Sequence, residues 1–448
     1  MTSHQPPCPC PGRPRPVPSG RTLTVLAVLL LGATATACAG GDTAPGQGPD
    51  RDRRPDTTAP ATADGSARPG KSGAAGKSGA PGSAGTSAGA GASAGAGASG
   101  TPGGGARGFT LAATGDVLPH DSIIRRAQSD SGGDGYDFRP MLAGVRPVIS
   151  GADLAICHAE TVYGADGDYT GYPDFRSPPE IAAALAATGY DSCSTATNHS
   201  LDDGPEGIDR TLDALDKAGV RHSGTARTAT EARTPAWLRA GGAKVAHLSY
   251  TYGTNKPLPE DRPWAVSPME PELILEDARA AREAGADVVV TSLHWGTEWQ
   301  DEPDEDQLAV GEQLTAARSG ELPAIDLIIG THAHVPQAYE KVNGTWIVYG
   351  MGDQIAGRMV NHEGDWDARG NESSIGRFTF APPARPGERW RVSKAEFLPQ
   401  WIDTGSGRVV NLNADAVADG TGPADVRDRI KEIVLSRGAA ADGLTLGR

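Results

Sequence analysis

In Ile325-Asp326-Leu327-Ile328-Ile329-Gly330-Thr331-His332-Ala333-His334 a short aliphatic run breaks off at a glycine, and two imidazoles follow at once. The run reads as a strand buried on both faces, because a half-solvated strand would alternate polar and apolar residues. Other runs end the same way. Phe109-Thr110-Leu111-Ala112-Ala113 leads into Gly115-Asp116, and Asp153-Leu154-Ala155-Ile156-Cys157 into His158-Ala159-Glu160. The weaker Asp191-Ser192-Cys193-Ser194-Thr195-Ala196 leads into Asn198-His199, and Asp287-Val288-Val289-Val290-Thr291-Ser292-Leu293 into His294-Trp295-Gly296. Polar groups gathered at the carboxyl ends of successive strands are how open α/β sheets assemble a site.

Helical patterns lie between these runs. Residues 205–218 carry Pro205 in the first turn, Ile208, Leu212 and Leu215 at helical spacing, and Gly219 as a stop signal. Residues 180–187, 273–284 and 307–317 follow the same plan. Such alternation implies a mostly parallel sheet with helices on its faces. Residues 163–177 and 251–268 are long loops, placed either to carry substrate contacts or to serve as plain connectors. A strand-like region at 390–401 and a last helix at 424–436 close the chain.

The first hundred residues are different. Arg13, Arg15 and Arg21 precede the apolar run Leu23-Thr24-Val25-Leu26-Ala27-Val28-Leu29-Leu30-Leu31. That run is short for a membrane span and flanked like an export signal. Ala35-Thr36-Ala37-Cys38 resembles a bacterial lipobox, so residues 1–38 read as a lipoprotein signal with Cys38 as the lipidated residue; ordinary cleavage and secretion is the alternative. Residues 39–107 are dominated by Gly, Ala, Ser and Pro and bury too little apolar surface to offset ordering, so they read as a tether. The expected location is the outer face of the plasma membrane, held by acyl chains.

Residues 1–107 hold 10 Lys+Arg against 5 Asp+Glu; the remaining 31 Lys+Arg against 51 Asp+Glu give the rest of the chain a charge of −20. So acidic a body argues against nucleic acid as a partner. Cys157 and Cys193 fall inside expected strands; they read as two buried free thiols, with a disulfide as the alternative for an exported chain.

Asp116, Glu160, Asn198, His294, His332 and His334 all sit just past expected strands. Mixed oxygen and nitrogen donors suit Mn, Zn or Fe, as one divalent ion or two. Two ions close together clamp the attacking and leaving oxygens of a phosphoryl displacement. Glu160 is placed to bridge them. His332 and His334, two apart on extended chain, point the same way. His199, beside Asn198, is the candidate general acid. His158 and Glu298 are candidate substrate contacts. Each residue also has a plain reading: Asp116 as a helix N-cap, Glu160 as a surface carboxylate, the histidines as hydrogen-bonded structural groups. Repetition at every strong strand favours a shared site.

Gly115-Asp116, His158-Ala159-Glu160, Thr197-Asn198-His199-Ser200-Leu201-Asp202-Asp203-Gly204, His294-Trp295-Gly296-Thr297-Glu298, Gly330-Thr331-His332-Ala333-His334-Val335-Pro336-Gln337 and Tyr349-Gly350-Met351-Gly352-Asp353, in this order, resemble the CapA family of bacterial poly-γ-glutamate capsule synthesis proteins. The resemblance covers roughly residues 109–360. It implies a four-layer α/β sandwich of calcineurin-like metallophosphatase type, with mixed sheets flanked by helices, over 108–403, and leaves 404–448 as an extension with one helix. It also implies membrane-bound polyglutamate synthase components as partners and an anionic polymer or phosphoester as substrate. Activity is open between a metal-dependent hydrolase and a non-catalytic export partner. The family usually has Asn-Leu-Glu at His158-Ala159-Glu160, Asn-Asn-His at Thr197-Asn198-His199 and Gly-Asn-Phe at Gly352-Asp353-Gln354. Asp353 is thus expected either to support the ligands from behind or to pack. Asp116-Val117-Leu118 lacks the histidine of the metallophosphatase Asp-x-His, which leaves one metal shell short.

Overall fold

The computed structural model describes residues 106–448 except 386 and 421; the expected signal, Cys38 and nearly all of the tether lie outside the described residues. Two sheets, of nine and six strands, organise the chain. The first begins with β1 (Phe109–Val117), β2 (Leu154–Ala159), β3 (Ser192–Ser194) and β4 (Arg221–Ser223). The middle of the chain forms the second, from β5 (Ala236–Ala240), β6 (Ala243–Thr251), β7 (Val288–His294), β8 (Leu327–Thr331), β9 (Tyr339–Val342) and β10 (Thr345–Val348). The chain then returns to the first sheet with β11 (Asp353–Ile355), β12 (Glu372–Ala381), β13 (Arg391–Asp403), β14 (Arg408–Asn411) and β15 (Leu444–Leu446).

Spatial order in the first sheet is β14-β13-β12-β1-β2-β3-β4, with β11 beside β1 and β15 beside β13. Strands β1 to β4 run parallel, and β12 pairs antiparallel with β1. The second sheet is ordered β9-β10-β8-β7-β6-β5, parallel in its centre and antiparallel at both edges. Both sheets are therefore mixed, where strand–helix alternation alone implied one mostly parallel sheet.

The main helices are α1 (Asp121–Asp130), α2 (Glu180–Thr188), α3 (Gly204–Ala218), α4 (Pro271–Glu283), α5 (Glu305–Ala316) and α6 (Ala424–Leu435). Local chemistry sets their ends. Pro lies in the first turn of α3, and Gly219 ends it in the left-handed conformation at φ 81°. A capping box between Asp304 and Gln307 starts α5.

Side-chain alternation along the strands makes the layers. Leu154 and Ile156 of β2 face the second sheet, meeting Val290, Leu327 and Trp346, while Ala155 and Cys157 face Leu185 of α2 and Leu212 of α3. In β8, Leu327 and Ile329 point between the sheets, and Ile328 points at Ile274 of α4 and Leu314 of α5. The result is helices, sheet, sheet, helices: a four-layer α/β sandwich. Two-sided burial is the reason the central strands carry unbroken aliphatic runs. Burying each such side chain contributes about 1.5–3 kcal/mol. A carboxylate at Ile328 would reverse that, having no partner on either side.

Two expectations need correction. The segment past Asp403 is no appendage: β14 and β15 flank β13, a short helix Ala414–Ala418 precedes α6, and Val426, Ile430 and Val434 join the inter-sheet core. Without it β13 would be a long exposed edge. Cys157 and Cys193, read first as free thiols, are opposite each other on β2 and β3 and form a disulfide, with Cα atoms 4.4 Å apart.

Candidate metal centre

The carboxyl ends of β1, β2, β3, β7 and β8 meet between the two sheets, and glycines let them close. A methyl group at Gly115 would sit 1.8 Å from the Gly352 carbonyl oxygen, and one at Gly330 would sit 2.0 Å from that of Tyr349. The pairing register of β1 shifts on both flanks near Asp116, against β2 and against β11. Such irregularities re-aim a side chain without ending the sheet.

Four overlapping groups of donors result: Asp116, His158 and His294; Glu160, His294 and His332; Glu298, His332 and His334; and Asp116, Glu160, His334 and Asp353. Within each group the ligand atoms lie within 4.8 Å of one another. His334 Nδ1 is 3.0 Å from Asp353 Oδ1 and 3.9 Å from both Asp116 Oδ2 and Glu160 Oε2. His294 Nε2 is 2.9 Å from Asn198 Oδ1 and 3.3 Å from Glu160 Oε1. Neighbouring ligands on an ion with bonds of about 2.1 Å are themselves roughly 3.0–3.4 Å apart; three of these spacings match, and the two at 3.9 Å would have to close by about 0.5 Å.

Unpartnered atoms provide the test of fit. Asp116 Oδ1, both Glu160 oxygens, His158 Nε2, His332 Nδ1 and Asp353 Oδ2 are buried with no hydrogen-bond partner. One such atom costs about 1–3 kcal/mol; six converging at one point make sense as cation ligands. Glu160 belongs to two of the groups and would bridge two ions.

Outer hydrogen bonds fix the rings. Ser194 Oγ is 2.7 Å from His158 Nδ1, which leaves Nε2 aimed at Asp116. Thr331 Oγ1 is 3.1 Å from His294 Nδ1, which leaves Nε2 for Glu160 and Asn198. Orientation of a ligating imidazole through its other nitrogen is the general pattern of metal sites.

The charges agree. Burial pushes the Asp116 carboxyl well above its usual range, and Glu160 and Asp353 push it further. Burial pushes Asp353 up to about 7 against the pull of His334. Burial alone would lower His334, but Asp353, Glu160 and Asp116 outweigh it and hold the ring well above its ordinary value. His158, His294 and His332 are held well below theirs, chiefly by burial, and so are neutral and ready to ligate. Three buried carboxylates facing one another are repulsive unless a cation lies among them.

Several placements differ from the sequence reading. His158, expected to touch substrate, is 1% exposed and aimed at Asp116. His332 and His334 are not on extended chain: their φ values are 93° and 59°, and they fall in different donor groups, sharing only the one with Glu298. Positive φ at two non-glycine residues is strain of the kind that functional sites hold. Asp116 caps no helix, since His120 precedes α1, and Glu160 is fully buried. Asp353, expected to support the ligands or to pack, stands beside Asp116 in the β1–β11 pairing, faces His334 and belongs to a donor group itself. The carboxylate one residue past the Gly350-Met351-Gly352 run was the available signal. Asp202 was also missed: its Oδ2 is 2.7 Å from His199 Nδ1. The two long loops reach the same group, Phe175 N donating to Asp202 and Lys256 Nζ to its carbonyl.

Residues 110–358 match the family described as bacterial capsule synthesis protein PGA_cap. The chain belongs to that family. A probable polyglutamine synthesis accessory protein of Mycobacterium tuberculosis is 27% identical over 45% of this chain and 55% of its own length. The capsule biosynthesis protein CapA of Bacillus anthracis is 26% identical over 39% of this chain and 42% of its own. The chain thus spans about half the length of the curated relatives it matches. A calcineurin-like phosphoesterase of Bacillus subtilis aligns over 72% of this chain and 99% of its own, at 15% identity and a TM-score of 0.41. The metal reading rests on the donor geometry.

Proposed function

We propose that this chain is a metal-dependent hydrolase of the phosphoesterase type, working at the outer face of the plasma membrane in the synthesis or export of an anionic capsule polymer. The observation that carries the reading is the set of six buried, unpartnered donor atoms shared by Asp116, His158, Glu160, His332 and Asp353. Bound divalent ions would supply a polarised phosphoryl oxygen and a hydroxide nucleophile near neutral pH.

This chain's residues do the rest. Asp116, Glu160, Asp353 and His334 would hold one ion, and Glu160, His294, His332 and Asn198 the other. His199 hands its Nδ1 proton to a hydrogen bond with Asp202, and its Nε2 then exchanges a proton with a leaving oxygen. Tyr252 stacks over His332 at 4.5 Å and shields that side from water.

Export is supported by the signal-like run before Cys38 and by the Cys157–Cys193 disulfide, which persists in oxidising compartments. Cys38→Ala should move the protein from the membrane fraction to the medium; a variant that stays membrane-bound would end the lipoprotein reading.

The direct test is elemental analysis of the purified protein together with turnover of a generic phosphodiester. Bound divalent metal and turnover that His332→Ala abolishes support the proposal. Metal-free protein, or equal turnover in the variant, overturns it. Leu118, standing where metallophosphatases have a histidine, favours a second reading as a non-catalytic polymer-binding partner. Metal bound without turnover would select that one.

A further inference from the structure

Beside the metal centre lies a pocket of about 420 Å³, reached by His199 and His334 and walled by Leu118, Tyr172, Phe175, Trp299 and Arg358. Its floor is a small apolar cluster in which Leu118, Phe175, Ala356 and Met359 pack together against Trp299. Leu118 thus does more than omit a ligand: 2% exposed, it turns a metal-facing position into an apolar surface.

The rim is unusual for this chain. Aromatic residues make up only 5% of the sequence. Yet of the six large apolar side chains left exposed among the described residues, Tyr172 and Val360 line this pocket, and Trp366 is bridged to Val360 beside it. Exposed apolar surface concentrated in one place marks a binding surface. Phe175 meets His199 edge-on at 4.7 Å, and Trp299 lies 6.0 Å from His334, so the rings border the reactive groups.

Charge restricts the ligand further. Arg358 is the only lysine or arginine on the lining, its guanidinium lying 5.4 Å from the Trp366 ring. Glu298 is the only carboxylate there. Away from the His334 side, which the metal centre occupies, one guanidinium on largely apolar walls accommodates one anion. A chain of repeated carboxylates would set the charges that reach beyond Arg358, His334 and the metal centre against apolar walls and the acidic body.

We propose that this pocket selects a ligand whose single anionic group is borne on a ring, in preference to an open chain of acids. The ring lies on the Tyr172 face beside Val360, and the anion sits between Arg358 and the metal centre. This inference rests on the proposed metal centre and narrows its substrate class.

Calorimetric binding to the full chain tests it, with and without Mn²⁺, using four probes: phenyl phosphate, glucose 1-phosphate, glycerol 1-phosphate and a γ-linked glutamate pentamer. At least one ring phosphate is expected to bind about tenfold more tightly than glycerol 1-phosphate, which has the same anionic group and no ring, and more tightly than the pentamer. Which ring phosphate gains tells an aryl ligand from a sugar. Tyr172→Ala should erase the ring preference, and Arg358→Gln should weaken the ring phosphates about tenfold without changing metal content. Equal affinity for glycerol 1-phosphate and both ring phosphates, tightest binding of the pentamer, or variants that bind like wild type would overturn the proposal. Ring preference in protein that binds no metal would remove the hydrolase reading alone, and bound metal without ring preference would remove this inference alone.

Discussion

Replacing Asp353 by Asn should have opposite effects on the metal-free and metal-bound protein. Asp353, Asp116 and Glu160 are all buried, with their oxygens within 4.8 Å of one another and of His334. In the absence of metal the ionised form of Asp353 is disfavoured, its carboxyl being pushed from 3.8 to about 7. Three pH units at about 1.4 kcal/mol each put that cost on the order of 4 kcal/mol. The folded metal-free chain therefore holds a proton between pH 4 and 7 that the unfolded chain has released. Its stability falls as pH rises through this window, and the cost is complete above pH 7. Asn carries no charge, and its oxygen can still accept from His334. Metal-free Asp353→Asn should match wild type near pH 4 and exceed it by about 1–4 kcal/mol at pH 8. With metal present the sign reverses, because a ligand oxygen has lost its charge. Affinity for Mn²⁺ should fall about 10–100-fold or more, the lower bound being that of losing an outer-shell partner. Urea unfolding of metal-stripped protein at both pH values, with calorimetric Mn²⁺ titration, reads both effects. A variant less stable than wild type without metal at pH 8, or one that binds Mn²⁺ as tightly, would refute the reasoning.

Three further outcomes are expected. Ser194→Ala removes the group holding His158 Nδ1 and should weaken metal binding about tenfold with little change in the far-UV circular dichroism; unchanged affinity would take His158 out of the ligand set. Reducing the Cys157–Cys193 bond, which spans 36 residues, should cost about 3–4 kcal/mol by urea unfolding at fixed metal, and equal midpoints with and without reductant would count against the bond. His247 sits between Ser192 Oγ and Ser292 Oγ, where burial pushes it from 6.5 to about 3. It stays neutral in the fold while the unfolded chain takes up a proton below pH 6.5, so it removes up to about 1.4 kcal/mol of stability per pH unit as pH falls from 6.5 towards 3. The stability gap between wild type and His247→Gln should therefore narrow at pH 5 relative to pH 8, and a constant gap would show that this ring does not titrate as argued.

Local pattern was enough for the strand ends that build the centre. Asp116, Glu160, His294, His332 and His334 were legible because each lies at or just past the end of an aliphatic run whose two-sided burial places that end at the sheet edge; Asn198 follows a weaker, Ser-rich run and was legible by its place in the same order. Helix ends were legible for a similar reason: Pro205 and Gly219 act through their own backbone. His158 was misjudged because its place in β2 fixes its neighbours, and only the pairing of β2 with β1 and β3 puts Asp116 before it and Ser194 behind it. Asp353 and Leu118 were misjudged by analogy, the first as support or packing behind the ligands and the second as a plain loss.

By itself the sequence determined which segments become strands and helices, which faces they bury, and which polar groups end up at one rim, since all of these follow from periodicity and chemistry within a dozen residues. Only the tertiary structure decided which of those groups meet. The His332 amide donates to Asp116 across 216 positions of chain. That meeting depends on sheet order, register and two glycine contacts, none of which leaves a local trace. The same holds for the return of the chain's end to β13, the disulfide, and the aromatic mouth, each made by segments distant in sequence and joined by packing.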